Sequence, residues 1–186
     1  AQGYLDAYRA LGEEAYLAAG LRALDFIETE MADGPRLHRV WKAGQGARIN
    51  GFLEDYAASI AALLAAHQAT LAPRWLELAE ARMAYVVEQF YDAAAGLFFY
   101  THAQDAPLIA RSKEVHDSVL PSGNSSLAHS ALSLGQLLHR EDWRALAARA
   151  LSALLPALGR HTGGLAHWAA LHLRHVFPDQ EITLMG

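Results

Sequence analysis

Cysteine is absent from this 186-residue chain, so neither a disulfide framework nor a thiolate metal site can be built. Long apolar runs are absent too; nothing approaches the roughly 18 consecutive apolar residues that a membrane span requires. The N-terminus shows no charged stretch leading into an apolar one, the pattern of a signal peptide. Basic residues are not clustered and the net charge is −5, which argues against nucleic acid or an anionic membrane surface as a partner. The glycines form neither GxGxxG nor GxxxxGK[ST], so nucleotide binding has no support, and GxSxG and HExxH are missing as well. No cofactor is implied, and a cytoplasmic setting is the expectation.

What is present favours packed helices. Apolar residues make up 53% of the chain, with Ala and Leu dominant, and the length suffices for one domain with a core. Tyr4, Leu5, Tyr8 and Leu11 recur at helical spacing, and a second helix is predicted from Ala15 to about Met31. Asp33-Gly34-Pro35 stops it, and Arg36–Trp41 with Ala47–Ile49 reads as a small hairpin. The order then returns. Helices are predicted over Asp55–Thr70 and Arg74–Phe90, a strand over Leu97–Thr101, and a possible partner strand over Leu108–Arg111. A third pair, Ser125–His139 and Asp142–Leu158, precedes a loop at His161-Thr162-Gly163-Gly164 and a lone helix over Leu165–Phe177.

Tyr16, Trp75 and Trp143 each open the second helix of a pair, so the unit is roughly 60–70 residues long. Connections within pairs are short, near Gly12, Pro73 and Glu141, whereas those between pairs, 32–54 and 91–124, are long. Antiparallel pairing therefore gathers every long connection at one end, where function is usually carried. Two junctions meet there, Asn50–Tyr56 and Asp117–Asn124.

Glu54 and Asp55 open a helix side by side. Successive helical residues point about 100° apart, so only one of them can face a substrate and work opposite Asp117 as an acid/base pair. Each has a structural alternative in capping a helix start. Asn124, directly before a helix, is equally suited to capping or to binding, and Pro121-Ser122-Gly123 forms the turn that holds Ser122 and Asn124. Asp117 lies in a loop, where it is either a site carboxylate or an Asx-turn. Tyr56 reads as wall or core. Trp41, Phe98, Phe99 and Tyr100 either stack on sugar rings or cover the end of the helices. His172 and His175 lie three apart, but no third ligand stands at metal spacing, and no metal is expected.

Three stretches taken together, Gly51-Phe52-Leu53-Glu54-Asp55-Tyr56-Ala57, Pro73-Arg74-Trp75-Leu76 and Asp117…Pro121-Ser122-Gly123-Asn124-Ser125, resemble one family in the same order. It is the thioredoxin-domain-containing proteins related to spermatogenesis-associated protein 20. The closing Gln180–Gly186 is similar to the strand that follows the barrel in bacterial members. The resemblance implies an N-terminal thioredoxin-like domain and then an (α/α)6 barrel similar to six-hairpin glycosidases and N-acylglucosamine 2-epimerase. The present chain corresponds to the later part of that barrel.

The expected fold is therefore all-α: a partial (α/α)6 toroid over 1–178, of about three helical hairpins and a lone helix. Small β-hairpins lie at one end, and a following strand segment begins over 179–186. The expected function is carbohydrate-active acid/base chemistry in the intact protein, through Asp117, Glu54 and Asp55, with Asn124, Tyr56, Ser122 and Trp41 positioning a sugar or other small molecule. The alternative is a non-catalytic helical scaffold or binding module supporting a thioredoxin-like domain. A piece of a barrel exposes helix flanks, so self-association is expected of the isolated chain, which should be inactive alone.

Overall fold

A computed structural model describes residues 1–105, 110–160 and 163–177. Seven α-helices and two small antiparallel sheets account for most of the described residues. Helices α1 (Gln2–Leu11) and α2 (Glu14–Phe26) form the first pair, α3 (Leu53–Thr70) and α4 (Pro73–Phe90) the second, and α5 (Gly123–Leu137) and α6 (Glu141–Leu158) the third; α7 (Ala166–Val176) follows alone. The predicted helices are all present, with ends displaced by a residue or two, except that α2 stops at Phe26 where the sequence predicts a helix to about Met31.

Local chemistry fixes the short turns. Gly12 ends α1 in the left-handed conformation at φ 73°, where a side chain would be strained. Pro73 occupies the first turn of α4, where its missing N–H costs nothing. At α5 and α6 the helices touch closely: a Cβ on Gly135 would lie 2.5 Å from Arg144 Cγ and 2.9 Å from Arg144 N. Glycine there sets the distance between the two helices.

Helix α3 packs against α1, α4 and α5, while α7 packs against both α5 and α6. The odd-numbered helices thus form a row, with α2, α4 and α6 behind it. Arg9 of α1 donates to Gln68 near the end of α3, and Gly123 at the start of α5 sits on Leu53 and Glu54 at the start of α3. The row runs in one direction, and its N-termini share one end. The principal core lies between the row and the helices behind it, around Tyr56, Ile60, Leu63, Trp75, Met83 and Phe90. A second cluster, including Leu151, Leu154, Trp168 and Leu171, joins α6 to α7.

The first sheet is larger than the sequence suggests. Strand β1 (Ala32–Asp33) adds to the expected hairpin of β2 (Arg36–Lys42) and β3 (Gly46–Asn50). Between α2 and β1, Ile27–Met31 forms a π-helical turn, which periodicity alone does not reveal. Glu28 in that turn meets Arg82 of α4 in a two-armed ion pair at 2.9 and 2.8 Å, and Ser59 completes the contact at 2.5 Å. Arg82 is fully buried, so this pair ties the π turn to the core. The second sheet is a short hairpin of β4 (Tyr91–Asp92) and β5 (Leu97–Phe98). The partner of β5 is therefore the segment just before it. Of the proposed partner 108–111, residues 108 and 109 lie outside the described residues, as do 161–162 of the expected loop and the expected strand over 179–186. Among the described residues no helix is long and apolar enough to cross a membrane.

Candidate functional site

The two long connections meet where the row begins. The Leu53 N–H donates to the Tyr100 carbonyl at 3.0 Å, and Tyr100 N–H donates to Ser112 O at 2.8 Å, so the loop after β5 is sewn to the start of α3. Arg39 of β2 reaches the same point. Its Nη1 donates to Glu54 Oε1 at 2.9 Å and to Asp55 Oδ2 at 2.8 Å, and the Glu54 bond above all raises the guanidinium pKa.

The two adjacent carboxylates have different surroundings. Asp55 Oδ2 also accepts the Phe52 N–H at 2.8 Å, the return half of a capping box that satisfies an open donor at the start of α3. Glu54 accepts the Tyr100 hydroxyl at 3.2 Å and lines a groove on the row of odd-numbered helices. Its charge adds to the burial that raises the Tyr100 pKa.

Asp117 is bonded on both oxygens. Oδ1 accepts Ser122 N–H at 2.9 Å and lies 3.0 Å from Ser125 Oγ, while Oδ2 accepts His167 N–H at 2.9 Å. Its own N–H donates to Gly164 O at 2.7 Å. One carboxylate thus serves the first turns of both α5 and α7, where unpaired N–H groups and the positive dipole end favour an anion.

The cap of α5 is Ser122, whose Oγ accepts Ser125 N–H at 3.1 Å. Asn124, expected to cap that helix, lies within its first turn and is fully buried. Its carboxamide instead completes the edge of β5: Oδ1 accepts Phe98 N–H at 2.7 Å, and Nδ2 donates to Phe98 O at 3.0 Å and Glu114 O at 2.9 Å. A carboxamide carries both a donor and an acceptor, so it imitates a neighbouring strand.

Tyr56 is fully buried. Its hydroxyl accepts Leu37 N–H at 2.9 Å, and burial pushes its pKa up to about 12. Trp41 packs edge-on to Phe26 and donates its indole N–H to Glu30 Oε2 at 3.1 Å, which directs it to the π turn. Phe98 is buried, and Phe99 lies under Arg111 and Lys113. Among the described residues no group of three or more metal-ligating side chains comes together.

A groove of about 440 Å³ runs across the row of odd-numbered helices. Ala57, Ala58, Ala61 and Ala65 of α3 make its floor, and Glu54, Gln68, Ser126, Ser133, His129 and His167 are among its polar lining. Alanine at one face of α3 leaves the space open, since larger side chains at helical spacing would fill it. A smaller cavity of about 230 Å³ beside it is lined by Glu54, Tyr100, Glu114, His116 and Ser122.

No spacing in the sequence marks the groove's histidines as a pair. The rings of His129 (α5) and His167 (α7) stack with centroids 4.0 Å apart and planes inclined by 17°. His129 Nε2 is 2.9 Å from the His167 carbonyl, and His167 Nδ1 is 3.0 Å from Ser125 Oγ. Burial lowers both pKa values, that of His129 to about 4, with His167 and Arg174 adding repulsion there. Both rings are therefore neutral at physiological pH. Asp117, Ser125 and His167 do not form a nucleophilic triad, because the serine lies between the other two and is fully buried.

No protein-family model matches the chain. Curated relatives do. Spermatogenesis-associated protein 20 of Rattus norvegicus is 33% identical over 153 residues, which cover 76% of this chain and 19% of that protein. The protein of the same name from Mus musculus is 33% identical over 144 residues, covering 72% and 18%, and that from Homo sapiens 30% over 151, covering 76% and 19%. This chain is homologous to one segment of those proteins. It spans about a fifth of their length.

Proposed function

We propose that this chain is a binding wall within a longer (α/α) helical toroid, and that its inner groove receives an uncharged, hydroxyl-rich molecule of monosaccharide size. The observation that carries this reading is the groove itself: a floor of methyl groups with carboxamide, hydroxyl and imidazole groups around it, and the opposite charges of Glu54, Asp6 and Arg9 at its edges. Such a lining suits a ring that offers an apolar face and a hydroxyl-bearing edge. Asp55 and Asp117 then build the site by holding helix starts. The (α/α)6 closure and a thioredoxin-like partner domain remain expectations of the family resemblance, and fold likeness alone does not assign a reaction.

Acid/base chemistry on the bound sugar is the second reading. It is favoured by Glu54, which of the three proposed carboxylates is the one lining the groove. Its Oε1 accepts hydrogen bonds from both Arg39 and Tyr100, which hold the carboxylate at the mouth of the groove.

Amide NMR of the chain, titrated with neutral monosaccharides, tests binding. Saturable shifts confined to Ala61, Ser126, Ser133 and their neighbours are expected. A spectrum that ignores every sugar would leave the scaffold reading in place. The exposed Leu173, Val176 and Phe177 at the α7 end are the flank through which the chain is proposed to self-associate; a monomer by light scattering at high concentration removes that part.

A further inference from the structure

We infer that the stacked His129–His167 pair is the recognition element of the groove, presenting two bare imidazole nitrogens to the hydroxyl donors of a neutral polyol. This rests on the groove reading above and names the side chains that would select the ligand.

The tautomers follow from the neighbours. A carbonyl oxygen only accepts, so His129 Nε2 carries its hydrogen and donates it to the His167 carbonyl. In the neutral ring Nδ1 then bears a lone pair. The second ring is set by a longer chain of bonds. Ser125 Oγ lies 3.0 Å from Asp117 Oδ1, and a carboxylate is the strongest acceptor within its reach. The serine hydroxyl therefore donates to Asp117 and leaves its oxygen to accept from His167 Nδ1–H at 3.0 Å. His167 Nε2 is then the bare nitrogen. Neither His129 Nδ1 nor His167 Nε2 is hydrogen-bonded among the described residues, and neither belongs to the buried polar atoms left without a partner. Both open on solvent.

Two acceptors on stacked rings suit a ligand that brings more than one hydroxyl donor. Neighbouring hydroxyl groups of a cyclic polyol provide such donors without net charge, whereas an anion brings negative charge against the two lone pairs. Protonating the rings would replace the lone pairs by N–H donors and place two positive charges in contact, which reverses the preference. Asp117 acts here as a positioning residue, since its bond to Ser125 selects the His167 tautomer.

The test is long-range ¹H–¹⁵N NMR of the histidine rings in the chain at neutral pH, with D-glucose and myo-inositol as neutral probes and inorganic phosphate as the anionic one. A neutral polyol should shift His129 Nδ1 and His167 Nε2 saturably while leaving the rings of His67 and His139 unmoved. His129→Phe and His167→Phe keep a stacked ring but lose the acceptor, and each should weaken polyol binding about tenfold, the loss of one hydrogen bond of about 1.4 kcal/mol. If a polyol shifts the amides of Ala61 and Ser126 but neither bare nitrogen, the inference is overturned and the groove reading survives. Tighter binding of phosphate than of either polyol overturns the inference as well. Should neither polyol perturb the groove at all, both readings fall. The wild-type nitrogen shifts decide the matter even where a variant folds poorly.

Discussion

Asp117 Oδ2 accepts the backbone N–H of His167 at 2.9 Å, so a loop residue before α5 caps the start of α7. Its other oxygen serves Ser122 and Ser125. Replacing Asp117 by alanine removes three bonds to a charged acceptor and leaves their donors half-satisfied. A loss of about 3 kcal/mol in unfolding free energy is expected, read from the urea midpoint. Asp117→Asn keeps the shape but loses the charge and should cost about half as much. Equal stability of all three proteins would show that the bonds contribute nothing.

The buried Arg82 depends on Glu28 in the same way. Glu28→Ala strands a guanidinium in the core and should destabilise the fold by about 3–5 kcal/mol. Replacing both partners, Glu28→Leu with Arg82→Met, should recover most of that loss, because neither charge then needs compensation. Thermal unfolding of the single and double variants decides between them.

Asn124→Ala deletes all three bonds that its carboxamide makes with Phe98 and Glu114. The Phe98 N–H is left without that acceptor, and a cost of about 2–3 kcal/mol follows. Asn124→Asp has nearly the same shape but carries no donor, so it should not restore stability. An aspartate variant as stable as the wild type would contradict the strand-mimic account.

The His129 pKa, lowered by burial to about 4 against 6.5 for the free side chain, makes stability depend on pH. Between those values the unfolded chain binds a proton that the folded chain refuses, so stability is full above pH 6.5 and falls as the pH drops toward 4. The ring is partly exposed, and screening limits the effect to the order of 2 kcal/mol. Denaturant titrations from pH 7.5 to 4 on wild type and His129→Phe should give curves that diverge across this window. Parallel curves would refute the assignment.

Much of the fold was legible because two local signals agreed. Apolar spacing marked each helix, and Gly12, Pro73 and the Pro121-Ser122-Gly123 turn marked where helices stop and start. Loop lengths then implied that the junctions share an end, and Gly123 against Leu53 and Glu54 places two of them together. The site was less legible for a physical reason. Asp117 stands out in the sequence as a loop carboxylate, but its partners Ser125 and His167 come from other segments, and only packing brings them to it. The histidines at 172 and 175 drew notice through their spacing, whereas His129 and His167 meet only across α5 and α7. One signal was available: His129 interrupts Leu127-Ala128 and Ala131 on a helix whose neighbours are small or apolar, an expensive place for a ring nitrogen without a purpose. Asn124, placed after Gly123 at a helix start, suits either capping or binding by sequence; Ser122 fills the cap and the carboxamide bonds to β5 and Glu114.

The row of helices also has consequences for how the protein comes apart. Each hairpin is stabilised chiefly by the one beside it, so cooperativity spreads from neighbour to neighbour rather than from a single nucleus. Helix α3 touches α1, α2, α4 and α5, whereas α7 packs on α5 and α6 and is held at its start by the loop before α5. Opening should begin by fraying at α7 and reach α3 last. Amide hydrogen exchange is expected to be slowest in α3 and fastest in α7, and Asp117→Ala should loosen α7 while leaving α3 and α4 protected. The carboxylate that joins two helix starts is, in this sense, the latch on the terminal unit of a short one-dimensional stack.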